Sequence, residues 1–213
     1  MSASTNTRMQ PGSTVLWEKG DAAGHDALGT RTFGFWLYML TDAMVYAALF
    51  AAFGVLAHNA GLTSKSMLAS VFDAQAAYRD TIVLFASVLA YGYAMVALKK
   101  GSRTGVAIGI IVATILGVIF LNMVTGDLEH LFSQGVVPQL NGFLSIVFTL
   151  VIYHALHIVV GVLWMLVMLM QMGRDGFTSN VVYRLINLRI FWHFQAVIWV
   201  FLFVFVYLQG KVI

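Results

Sequence analysis

The chain has 213 residues, 60% hydrophobic and only 10% charged, with a formal charge of +3 and a mean hydropathy of +0.86. A soluble domain carries about 25% charged residues, so this composition excludes a soluble globular protein and specifies a polytopic membrane protein. Cysteine is absent, which removes thiolate copper centres, iron–sulfur clusters, covalent c-type haem and disulfides from what this chain can build alone.

Residues 1–32 are small and polar, with no apolar stretch longer than Val15-Leu16-Trp17. They read as a flexible or surface-lying tail and lack the h-region of a signal peptide. Five apolar runs follow, at about 33–57, 80–98, 104–125, 140–171 and 188–209. Each approaches or exceeds the roughly 20 residues that cross a bilayer as a helix. The two prolines, Pro11 and Pro138, fall outside the runs, which predicts uninterrupted helices. The fourth run is long enough to require tilt or projection beyond the membrane. The expected architecture is an all-α, five-transmembrane-helix bundle over residues 33–213.

The cations set its orientation. Arg8, Lys19, Arg31, Lys99, Lys100, Arg103, Arg174, Arg184 and Arg189 belong to the tail and the loops after runs 2 and 4, against Lys65, Arg79 and Lys211 on the other side. This asymmetry predicts a cytoplasmic N-terminus and a periplasmic C-terminus. Small residues recur every fourth position, at Gly105, Gly109, Ala113 and Gly117 in run 3 and at Ala43, Ala47 and Ala51 in run 1. Such stripes let helices approach closely, within the bundle or against another subunit. Met67, Leu68, Val71, Phe72 and Tyr78, in the loop at about 64–78, have the spacing of a short interfacial helix.

Four ionisable residues lie within the runs: Asp42, His154, His157 and His193. A charge at bilayer depth costs roughly 3 kcal/mol on insertion scales, so each is a functional candidate. His154 and His157, three apart, share a helix face. With Asp42 they match the two-imidazole, one-carboxylate set that holds non-haem iron. The alternative is a buried hydrogen-bonded network without metal, favoured because no further ligand lies nearby in sequence. A bis-histidine haem would pair His157 with His193, but their depths differ by roughly 8–10 Å. Phe191-Trp192-His193-Phe194, with Trp199 beyond, reads alone as an interfacial aromatic belt with a snorkelling histidine. Asp127, Glu129 and His130 read as a solvated cap on run 3.

At these residues the chain resembles subunit III of the haem–copper terminal oxidases, and among them the five-helix subunit III of the cytochrome bo-type ubiquinol oxidases. The likeness runs from about residue 33 to 208. It begins at Phe33-Gly34-Phe35-Trp36-Leu37-Tyr38-Met39-Leu40-Thr41-Asp42, with its Thr-acid pair, and continues through Asp80-Thr81, Ser87, Tyr91-Gly92 and Leu116-Gly117-Val118-Ile119-Phe120. Its strongest pieces are His154-Ala155-Leu156-His157 followed by Gly161, and Phe191-Trp192-His193-Phe194 followed by Trp199. Arg174, Gly176, Thr178 and Arg184-Leu185 fit the loop between them. Ala155 replaces a glycine of the family pattern, and Val124 and Ala196 stand where the family has carboxylates.

The resemblance implies a subunit that binds no haem or copper and carries no catalytic residue, in a proton-pumping quinol oxidase of a bacterial inner membrane. Haem and copper would belong to catalytic subunit I, with subunits II and IV and phospholipid as further partners. Asp42, His154 and His157 would then form a structural polar network. The same subunit of a cytochrome c oxidase is a nearer alternative, and a stand-alone membrane protein with metal or haem at its histidines a more remote one. A transporter would be expected to show broken helices or repeated halves, and neither is visible.

Overall fold

The computed structural model describes residues 27–59 and 74–208. Its long helices are α1 (Ala27–Asn59), α2 (Ala74–Lys99), α3 (Arg103–Ser133), α4 (Gly142–Asp175) and α5 (Ser179–Leu202). A single 3-10 turn at Pro138–Leu140 precedes α4, and α5 continues into a π-helical segment, Phe203–Leu208. All five long helices are apolar and long enough to cross a membrane, and no strand occurs among the described residues. The expected five-helix all-α architecture is therefore present.

The helices outrun the apolar stretches that announce them. Hydropathy marks the part immersed in lipid, whereas the helix continues until its end groups are capped. Side chains of Ser102, Asn141 and Thr178 accept the N–H groups of Gly105, Leu144 and Val181, fixing the starts of α3, α4 and α5. At the end of α4, Gly176 adopts φ 67°, a left-handed conformation natural to glycine. The first helix begins at Ala27, inside the stretch read as tail to residue 32. Residues 1–26, including His25, and most of the 64–78 loop lie outside the described residues. Tyr78 belongs to α2 and is exposed.

The small-residue stripe of α3 joins two interfaces. A Cβ added at Gly105 would lie 2.8 Å from Ala97 Cβ, and one at Gly109 would lie 2.7 Å from Ala94 Cβ and 2.9 Å from the Ala90 carbonyl oxygen. The α2 and α3 backbones thus touch, as small-residue packing allows. Further along, Gly117 on α3 and Gly161 on α4 flank the indole of Trp192.

Helix α5 docks onto α2 through three rungs. Tyr91 donates its hydroxyl to the Leu185 carbonyl at 3.0 Å. The indole N–H of Trp192 donates to Ser87 Oγ at 3.1 Å, and that of Trp199 to Thr81 Oγ1 at 2.9 Å. Ser87 passes its own proton to the Ala113 carbonyl at 2.8 Å, tying in α3. Residues 185, 192 and 199 are seven apart, so they return to one face of α5 every two turns. Helix α1 packs chiefly on α4 and α5, and its Ala47 and Ala51 remain exposed, with Ala43 half-buried.

Candidate functional site

Asp42 on α1 meets His157 and Tyr153 on α4. Tyr153 donates its hydroxyl to Asp42 Oδ1 at 3.0 Å, and His157 Nε2 lies 3.3 Å from the same oxygen. His157 Nδ1 lies 2.8 Å from the Tyr153 carbonyl oxygen. A carbonyl only accepts, so this nitrogen is the protonated one. Nε2 and the carboxyl form an ion pair when the imidazole is protonated. Asp42 Oδ2 is buried and has no hydrogen-bond partner among the described residues.

Tyr46, one turn along α1, closes the cluster. Its hydroxyl reaches His157 Nδ1 at 3.4 Å and donates to Gln195 Oε1 on α5 at 3.5 Å. Both contacts are long. Its ring stands 5.0 Å from Tyr153 and 6.4 Å from Phe194. The site therefore joins three helices through polar groups that would be costly to bury alone. It can lock helix positions and hold a proton. Among the described residues no three His, Asp or Glu side chains converge on one metal position.

His154 stands apart from this cluster. It is buried, packs edge-on to Phe120 at 6.0 Å and tilted over Trp199 at 5.4 Å, and neither ring nitrogen has a hydrogen-bond partner among the described residues. The three-residue spacing puts the two histidines about 60° apart, and the seam between neighbouring helices falls between them. His157 turns to α1, whereas His154 turns to α3 and α5.

The tryptophans expected at the membrane interface also require correction. Trp192 and Trp199 are both fully buried and supply two of the α2–α5 rungs. The sequence motif is amphipathic in the reverse sense: its indoles face the bundle, and His193 faces outward, with Nδ1 donating to the Arg189 carbonyl at 2.9 Å.

A second acidic contact is invisible in the chain order. Asp80 on α2 is buried and lies near enough to Asp127 on α3 for the two carboxyl groups to interact, where the sequence suggested a solvated cap. Glu129 and His130 are exposed. Residues roughly equidistant from the α2–α3 turn meet across the hairpin, as Ser87 and Ala113 do. That symmetry is the signal that could have paired Asp80 with Asp127. Val124 and Ala196 are buried in the apolar core.

Residues 19–211 match the model of the family described as cytochrome c oxidase subunit III. The cytochrome bo(3) ubiquinol oxidase subunit 3 of Pseudomonas aeruginosa is 37% identical over 188 residues, covering 87% of this chain and 88% of that protein. The protein of the same name from Buchnera aphidicola of Acyrthosiphon pisum is 30% identical over 202 residues, covering 94% of this chain and 97% of that protein. A probable quinol oxidase subunit 3 from Staphylococcus epidermidis is 29% identical over 179 residues, covering 84% and 89%.

Proposed function

The chain belongs to the cytochrome c oxidase subunit III family, and from that premise we propose that it serves as the accessory subunit III of a haem–copper quinol oxidase. The observation that carries this reading is the 37% identity to a bo(3) ubiquinol oxidase subunit along nearly the whole length of both proteins. In this reading the complex oxidises ubiquinol, reduces dioxygen to water and pumps protons. This chain is non-catalytic and supports assembly, stability and lipid packing. Catalytic subunit I holds the haem and copper, and subunits II and IV complete the assembly. The chain lies in the bacterial inner membrane with its N-terminus in the cytoplasm, as its cation distribution supports, and it carries bound phospholipid.

The Asp42–His157–Tyr153 cluster fits a structural role. It fastens α1, the helix with the least packing inside the bundle, to α4. A supporting subunit needs this kind of attachment wherever an outer helix bears on a neighbour.

Affinity purification in mild detergent tests the proposal. The expected result is co-purification with a haem- and copper-containing subunit, and quinol-driven oxygen uptake by the sample. Recovery of this chain alone would overturn the assignment, and uptake driven only by cytochrome c would reassign the electron donor.

A further inference from the structure

Between α1 and α5, toward the ends at which both helices begin, lies a groove of about 510 Å³. Trp36, Met39, Leu40, Ile190, Phe194 and Val197 make its wall apolar, and the two remaining lining residues are Arg189 and His193. These two sit one turn apart on α5, and both are exposed. Among the described residues no carboxylate lines the groove and none forms an ion pair with Arg189. The hydrogen bond from His193 Nδ1 to the Arg189 carbonyl leaves Nε2 facing a ligand, and this nitrogen donates to a phosphate oxygen when the ring is an imidazolium.

We propose that this groove binds one anionic phospholipid, with its phosphate on Arg189 and His193 and an acyl chain along Phe194, Val197 and Leu40. An uncompensated arginine on a membrane-spanning helix is costly, and a phosphate diester supplies the missing charge with geometry that a guanidinium matches. From Arg189 to Val197 the groove follows α5 for about 12 Å, a length of apolar wall that suits an alkyl chain. Trp36 at the rim has the aromatic character found at headgroup level. A protein helix seated here would have to bring its own carboxylate to Arg189. The proposal rests on the reading of this chain as a membrane subunit with bound phospholipid and specifies where that lipid sits and what charge it carries.

The test uses the detergent-purified protein with whatever subunits accompany it. Phosphatidylglycerol and phosphatidylethanolamine are extracted and quantified per chain for the wild type, for Arg189→Gln/His193→Gln and for Arg189→Lys. The wild type and Arg189→Lys are expected to retain phosphatidylglycerol, and the double variant to lose it several-fold with phosphatidylethanolamine unchanged. Equal phosphatidylglycerol in wild type and double variant overturns the site. Parallel loss of both lipids also overturns it, because it shows binding through the tails alone. A photoreactive residue replacing Val197 should label phospholipid, and labelling of a polypeptide instead makes the groove a subunit interface. The subunits recovered in the same preparation report separately on the assignment to an oxidase, so failure of the lipid site leaves that assignment standing.

Discussion

The α2–α5 seam and the α1–α4 junction both place polar side chains inside an apolar bundle, but they differ in how completely those groups are satisfied. Along the seam, each donor of Tyr91, Trp192 and Trp199 meets an acceptor within 3.1 Å, and Ser87 relays to a third helix. At the junction, among the described residues, Asp42 keeps one oxygen without a partner, Gln195 leaves its amide nitrogen unbonded, and Tyr46 makes only long hydrogen bonds. A satisfied buried network rigidifies, and a partly satisfied one retains freedom to rearrange or to share protons. The seam is thus the part of the bundle that holds the fold. The junction is where its state can change.

The largest expected effect falls on the seam. Trp192→Ala removes an indole wedged between Gly117 and Gly161 and should cost about 3–5 kcal/mol, as large-to-small core substitutions do. The readout is a fall in the thermal unfolding midpoint in detergent. Gly161→Ala attacks the same wedge from the other side, since its new Cβ would stand 2.6 Å from the Trp192 ring. An overpacking cost of about 1–3 kcal/mol is expected in the same assay. A neutral Gly161→Ala would mean that the indole can shift and that the seam is looser than its geometry.

Asp42→Asn probes the junction. Tyr153 still finds an oxygen there, but the carboxylate facing His157 is lost, at a cost of roughly 0.6 kcal/mol by the average interhelical polar contact in membranes. The expected phenotype is a shorter turnover lifetime or a less stable complex, with the initial rate retained. An assembled variant with normal haem content and no initial activity would make the junction part of the chemistry. The smallest effect is expected for His154→Phe. Its ring nitrogens have no partners among the described residues, so an apolar ring of similar shape should be neutral or slightly stabilising in the unfolding assay. A strongly destabilised His154→Phe would show that the two histidines act together after all.

The five helices were legible because each carries its own apolar run, a local property of the chain. Their ends were not, since α5 starts at Ser179 under a Thr178 cap while the purely apolar stretch begins near residue 188. The link between Asp42 and the α4 histidine pair was legible only in outline. Burial and three-residue spacing nominated the residues, but which histidine faces α1 depends on where the helix seams fall, and that is a tertiary fact. The tryptophans failed for a related reason. Aromatics near a helix end occur in both belts and cores, and the deciding feature is the pair of glycines on two other helices that open a slot for Trp192.

The turn between α2 and α3 has a consequence for the order in which the bundle is made. Only Lys100, Gly101 and Ser102 separate the two helices, with Gly101 at φ 71°, so their pairing closes a minimal loop and uses contacts near in sequence. During synthesis this hairpin emerges before α5, so the contact of Ser87 with the Ala113 carbonyl can form before Trp192 is available. The last helix therefore docks on a prepared surface. The hydroxyls of Ser87 and Thr81 serve as a template that selects the rotation of α5, and through it the outward placement of Arg189 and His193.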